Sequence, residues 1–228
     1  MFSVALVGGD GAGKTTIAKR LEESFPLPIK HIYMGISPIS SNYALPTTRL
    51  IRFFKIRRYK KQNRESGEIT PEALSLHLHY RSEKRHPVWV MARTANRMID
   101  TIYRNIIARN YMTRGYVVVF DRHLLFELSP DVIDGQYQPQ PLHHKILHWF
   151  LSNIFTKPDI VLFLDADPEI LYSRKKEATL EHLAMRREAI LSQGKKVPNF
   201  IQVDASQSLD NVEAVIAQHI LEFHGKHT

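Results

Sequence analysis

The feature that most constrains this chain is the run Gly8-Gly9-Asp10-Gly11-Ala12-Gly13-Lys14-Thr15, which satisfies the phosphate-loop pattern G-x-x-x-x-G-K-S/T. It follows the apolar stretch Phe2–Val7 and opens Lys14–Phe25, where Ile17, Ala18, Leu21 and Phe25 recur at helical spacing before Pro26. The glycines allow successive backbone N–H groups to point into one concavity, and the helix adds the positive end of its dipole. Gly8, Asp10, Gly11, Ala12, Gly13, Lys14, Thr15 and Thr16 are therefore expected around the phosphates of a nucleoside triphosphate. Lys14 would reach the outer phosphates, and the Thr15 hydroxyl would take a magnesium ligand position.

Beyond the loop, apolar strands alternate with helical patterns. The strands are Ile29–Met34, Tyr116–Phe120, Ile160–Leu164 and Phe200–Val203. The helices are Pro87–Tyr111, Pro141–Phe155, Pro168–Lys176, Thr179–Leu191 and Leu209–Phe223, and Thr70-Pro71-Glu72 signals another helix start. Gly35–Thr48, rich in Ser, Pro and Asn, reads as a long loop. With Phe2–Val7 the strands number five, and the alternation implies an α/β fold: a parallel sheet covered by helices on both faces. A length of 228 residues with 43% apolar content suits one domain over residues 1–228.

The absence of cysteine removes disulfides, thiolate metal sites and cysteine nucleophiles. No run of about twenty apolar residues offers a membrane span. The N-terminus reads as a first strand, not a secretory signal, which is compatible with the cytoplasm. Of the twelve histidines, neither His144 and His148 nor His77-x-His79 completes a metal-ligand pattern. Thr156-Lys157-Pro158-Asp159 mimics a guanine-specifying motif, but precedes a strand where that motif follows one.

The net charge of +8 is concentrated in one segment. Arg49, Arg52, Lys55, Arg57, Arg58, Lys60, Lys61 and Arg64 fall within sixteen residues that contain no acid. Outside it, 23 basic residues face 23 acidic ones. Leu50, Ile51, Phe53, Phe54 and Ile56 interleave with these cations. A phosphate-rich acceptor, an anionic membrane surface and nucleic acid all fit such a segment, as does a helical insertion that solvates its charges.

The phosphate loop and four further motifs carry a family resemblance. GGDGAGKTT looks like the phosphate loop of thymidylate kinases, and VVVFDRH resembles that family's strand followed by an Asp-Arg-aromatic motif. PDIVLFLDADPEILYSRKKE is similar to its fourth strand and the start of its mobile lid. FIQVDASQSLDNV resembles its last strand and the turn where adenine packs. WVMARTANRMIDTIYRNIIARN falls where those enzymes carry a helix with an acceptor-binding arginine. The resemblance implies the three-layer P-loop NTPase fold, a short lid at about 173–187, and dimerisation through the Pro87–Tyr111 helix; residues at about 35–85 have no clear counterpart and read as an acceptor-side basic insertion. Met34-Gly35-Ile36-Ser37-Pro38 stands where the family carries Arg-Glu-Pro-Gly, whose arginine holds the acceptor's phosphate. Met91-Ala92 precede Arg93 where the family has an acid, and Leu124, Leu125, Phe126 and Glu127 follow His123 where it has serines and a glutamine. The donor half matches and the acceptor half departs.

These readings assign roles. Lys14, Asp121, Arg122 and Arg174 are the candidate catalytic residues, with Asp121 and Thr15 as magnesium ligands. Asp10, Arg93 and Arg122 are candidate acceptor contacts, Arg122 through bidentate hydrogen bonds. Arg174 matches the lid-start arginine, with Lys175, Lys176, Arg186 and Arg187 nearby. Asp165 and Asp167 are expected to cap the helix that Pro168 starts, and Glu127 and Asp131 are the acids near the Asp-Arg motif. The leading expectation is an ATP- and magnesium-dependent phosphotransferase acting on a nucleotide, nucleoside or other small acceptor. The alternative is a P-loop ATPase or nucleotide-binding protein that docks on an anionic membrane or nucleic acid through Arg49–Arg64.

Overall fold

Alternate residues of the first strand face two different cores. In β1 (Ser3–Gly8), Val4 and Leu6 join one apolar cluster, while Ala5 and Val7 join the other. The same period of two runs through β3 (Val117–Asp121) and β4 (Ile160–Asp165), where Val117, Val119, Ile160, Leu162 and Leu164 oppose Val118, Phe120, Val161 and Phe163. Strands buried on both faces must be covered twice, and they are. Ile17, Ala18 and Leu21 of α1 (Lys14–Ser24) pack on one face with Val212, Ile216 and Ile220 of α6 (Leu209–His227). Ala108 of α2 (Pro87–Thr113) and Ile190 of α5 (Leu180–Gly194) pack on the other. A computed structural model of the chain describes residues 1–35, 42–50, 53, 54, 57, 87–127, 157–176 and 178–227.

With β2 (Ile29–Tyr33) and β5 (Phe200–Asp204), the sheet has five strands in the order β2-β3-β1-β4-β5, every pair parallel. From β1 the chain crosses to β2 on one side, and from β3 it crosses to β4 on the other. The carboxyl ends of β1 and β3 therefore border the point where the winding reverses, the crevice in which open α/β sheets bind ligands. Register places Leu6 opposite Asp121, so the phosphate loop begins beside the Asp-Arg turn.

Local chemistry explains the element boundaries. Pro26 forces Phe25 out of helical geometry (φ −77°, ψ 143°), so α1 ends at Ser24, one residue earlier than the spacing suggested. Pro168 sits at the first turn of α4 (Pro168–Arg174), and Thr179 caps α5 by accepting the N–H of His182 at 3.2 Å. Asp167 occupies the N-cap position of α4 without a side-chain hydrogen bond, and the Asp165 carboxylate accepts from Arg187 instead. The expectation that both acids cap this helix is thus corrected. Gly35–Thr48 is not loop throughout: residues 46–50 are helical, starting at a proline that the sequence reading took as a loop signal. The expected helix Pro141–Phe155, the Thr70-Pro71-Glu72 start and most of Arg49–Arg64 lie outside the described residues.

A buried ion pair ties α2 to the edge of the sheet. Arg104 donates to Asp100 Oδ2 at 2.5 Å and to the backbone carbonyls of Tyr33 (3.0 Å) and Gly35 (3.3 Å). Asp100 Oδ1 accepts the N–H of Leu45 at 2.9 Å. Asn42 adds a strand-like contact along the β2 edge, accepting from Tyr33 N (3.0 Å) and donating to His31 O (2.7 Å). Because Arg104 and Asp100 are both buried, removing one strands the charge of the other. Arg104→Ala is expected to lower unfolding free energy by about 3–5 kcal/mol in urea titrations; a loss under about 1 kcal/mol would mean that the pair is dispensable.

Candidate active site

The phosphate loop is built from backbone that a side chain would block. A Cβ on Gly8 would meet the carbonyl oxygen of Leu164 at 2.6 Å, so β1 lies against β4 only because residue 8 has none. Gly13, in the left-handed region at φ 86°, precedes α1 and gives it no side-chain cap; no acid occupies the first turn of that helix. The uncapped N–H groups and the helix dipole favour an anion at this end.

Lys14 is buried and folds back on its own loop, donating to Gly8 O at 3.0 Å and Gly9 O at 2.5 Å. Burial lowers its ammonium pKa to about 7, and the nearby Arg122 and Arg186 push the same way against Asp10 and Asp121. Arg122 donates to Asp10 Oδ1 at 2.5 Å from a backbone at φ 67°, a strained setting for a residue with a side chain. Burial raises the Asp10 carboxyl, but Arg122, Lys14 and Arg186 outweigh it and hold the group well below the usual carboxylate range. Three cations thus surround one carboxylate.

Thr15 Oγ1 donates to Asp121 Oδ2 at 2.6 Å, joining the loop to the end of β3. Asp121 is completely buried, and its Oδ1 has no hydrogen-bond partner among the described residues. Burial raises its pKa, but His31, Thr15, Lys14 and Arg122 together lower it on balance. A buried, ionised oxygen with nothing to bind, next to a hydroxyl at a helix start, suits a hard divalent cation such as magnesium. Thr16 lies exposed one residue further along α1.

The expected lid residues divide into different contacts. Arg174 donates to the carbonyls of Ala205 (2.7 Å), Ser206 (3.0 Å) and Gln207 (3.4 Å), the turn after β5. With Gly11, Gly13, Gln207, Leu209 and Val212 it lines a cavity of about 290 Å³ beside the phosphate loop, large enough for a purine base. Arg187 grips Asp165 through two bonds, at 2.6 and 2.8 Å, and lies 3.5 Å from Asp167. Arg186 is the buried arginine of α5 whose charge reaches Asp10 and Lys14. Lys175 and Lys176 follow α4.

The acceptor side is less complete. Met34 is buried in the core and offers no charge. A Cβ on Gly35 would overlap the Tyr33 ring and come within 2.7 Å of Arg122 Cδ, so this glycine lets the Tyr33 ring and the Arg122 stem meet. Arg93 lies near the start of α2, but its side chain, like all of Asp131, falls outside the described residues. Glu127 ends the single helical turn α3 (Leu124–Glu127). Two features escaped the sequence reading. His31, buried in β2, points Nε2 toward Asp121 at 3.8 Å, too long for a direct hydrogen bond; an isolated histidine in an apolar strand gave no signal. Asp100 and Arg104 did give one, an acid and a base four residues apart on a helix.

No family model matches the chain. It is 25% identical over 227 residues to a probable thymidylate kinase of Pyrobaculum aerophilum, with 96% of each chain covered. It is also 25% identical over 234 residues to a probable thymidylate kinase of Staphylothermus marinus, again with 96% of each covered. The solved thymidylate kinase of Candida albicans superposes with a TM-score of 0.58 at 18% identity, covering 100% of this chain and 93% of that one. The chain is similar to thymidylate kinases over almost its whole length. Its five-stranded parallel sheet is the P-loop NTPase fold that the alternation of elements implied. Among the described residues no helix of this chain is long and apolar enough to cross a membrane, and no cluster of His, Cys, Asp and Glu could hold a metal ion by itself. A magnesium ion at Thr15 and Asp121 would therefore rely on the phosphates and on water for its remaining ligands.

The Lys14 environment has a measurable consequence. At about pH 8 an ammonium of pKa about 7 is mostly neutral, and a polyphosphate beside it raises that pKa again. ATP binding at that pH should therefore take up close to one proton, read by calorimetry in buffers of different ionisation enthalpy. The uptake should vanish in Lys14→Ala; equal uptake in both proteins would contradict this reading of the loop.

Proposed function

We propose that this kinase transfers the γ-phosphoryl group of ATP to a nucleotide, nucleoside or other small acceptor bound beside Asp10 and Arg122. The observation that carries the reading is the meeting of Lys14, Thr15, Asp121, Asp10 and Arg122 at the carboxyl ends of β1 and β3. Its support is the likeness to probable thymidylate kinases over 96% of the chain.

In this reading residues 1–228 form one kinase domain, working in the cytoplasm. The base enters the cavity beside Arg174, and the loop amides of Gly8–Thr15 hold the phosphates. Lys14 turns from its own carbonyls to the outer phosphates, exchanging two neutral acceptors for anionic ones. Thr15 and Asp121 would hold magnesium, which would supply charge neutralisation at the phosphates. An oxygen of the acceptor attacks the γ-phosphorus, the bond to the bridging oxygen breaks, and ADP leaves with that electron pair. Asp10 orients the acceptor hydroxyl, Arg93 contacts the acceptor, and Arg122 clamps the acceptor or the moving phosphoryl. Arg174 reaches the transferred group when the lid at about 173–187 closes, which also excludes water.

The test is ADP release with magnesium across a panel of nucleoside monophosphates, nucleosides and phosphosugars. One class of acceptor should stimulate turnover, and Lys14→Ala should cut that stimulated rate by about 100-fold or more. ATP consumption that ignores every acceptor would instead favour an ATPase.

A further inference from the structure

Residues 46–50, 53, 54 and 57 present a surface that phosphoryl transfer does not use. Residues 46–50, 53, 54 and 57 are helical, and the inner side of the segment is pinned to α2. Ala44 and Thr48 are buried. Thr48 Oγ1 accepts from Asn96 Nδ2 at 3.0 Å, Thr47 donates to Asn96 Oδ1 at 3.2 Å, and Leu45 N donates to Asp100. The outward face follows from that anchoring. Leu50, Phe53, Phe54 and Arg57 recur at i, i+3, i+4 and i+7, the spacing of one helical stripe. Such a stripe normally faces a core, yet Leu50 is 57% exposed, Phe53 56% and Phe54 59%. The two rings meet edge to face at 5.7 Å. Arg49 and Arg57 are exposed beside them.

Charge decides what covers this face. Arg49–Arg64 carries eight cations and no acid. Two copies of such a segment brought together would repel, so a second copy of the chain is a poor occupant. A nucleic acid would match the charge, and the Phe53 and Phe54 rings could stack on bases, but the aliphatic Leu50 that heads the exposed stripe has no plane for stacking. An anionic bilayer matches both properties: its headgroups neutralise the cations, and its acyl boundary accepts the apolar row. We propose that the segment 46–57 seats this kinase on an anionic membrane surface, with Leu50, Phe53 and Phe54 entering the interface and Arg49 and Arg57 at headgroup level.

The full chain would be floated with phosphatidylcholine vesicles with and without phosphatidylserine, and separately mixed with single- and double-stranded oligonucleotides. Binding to the phosphatidylserine vesicles alone is expected, and raising salt toward about 1 M should release it as the Debye length shrinks to about 3 Å. Phe53→Ser/Phe54→Ser should weaken vesicle binding about tenfold or more while ATP turnover stays at the wild-type level. Arg49→Ala/Arg57→Ala should reduce the salt-sensitive part by a separate surface change. Absence of vesicle binding, vesicle binding untouched by both double substitutions, or binding to oligonucleotides but not vesicles would each overturn the proposal.

Discussion

The parallel pairing of β1 with β3 is the contact on which the rest of this site depends. Loop Gly8–Lys14 and the turn Asp121–Arg122 are more than a hundred residues apart, and only this register brings Thr15 within 2.6 Å of Asp121 and Asp10 within 2.5 Å of Arg122. The pairing is secured by residues with no chemistry of their own. Ser3, Val4 and Ala5 are buried against Val118, Val119 and Phe120. A slip of one residue would turn every one of these side chains into the wrong core and move Asp121 away from the loop. Packing and chemistry are therefore fixed by the same set of strand contacts.

Once those ends meet, electrostatics dominates. Lys14, Arg122 and Arg186 gather around Asp10, an arrangement with surplus positive charge and little water. Part of the strain shows in the positive φ of Arg122, part in the lowered pKa of Lys14 and part in the unpartnered Asp121 oxygen. The last two would be relieved by the same ligand, a polyphosphate with a divalent cation. The outer arginines have different work: Arg187 locks α5 to the end of β4, and Arg174 brackets the turn after β5. Neighbours on one helix, Arg186 and Arg187 diverge because successive helical side chains point about a quarter-turn apart.

Much of this was legible in the sequence because it is local. A glycine loop needs its glycines in a fixed order, and buried strands announce themselves as apolar runs, so the five strands and the donor loop could be read directly. The partner of each long polar side chain could not. Nothing in Asp165-Ala166-Asp167-Pro168 distinguishes an acid that caps a helix from one held by Arg187 twenty-two residues later. On α2 the sequence drew attention to Arg93 by family position, while the arginine that holds β2 in place is Arg104. The helix starting at residue 46 was hidden for a different reason: proline serves both loops and first helical turns, and tertiary anchoring by Asp100 chose between them.

The phosphate-loop side of the site is thus defined by short, buried contacts, whereas Met34, at the end of β2 where the resemblance leads one to expect an arginine, is a buried apolar side chain. The claim on which everything else rests is that Thr15 and Asp121 meet in order to share a cation on the bound triphosphate. ATP affinity should be measured with and without magnesium in wild type, Thr15→Val, Asp121→Asn and the double variant. With magnesium, each single substitution should weaken binding about tenfold or more, and the double should lose little beyond the worse single. Without magnesium all four should bind alike. Equal losses with and without the metal would contradict a shared cation and reduce the Thr15–Asp121 contact to a structural hydrogen bond.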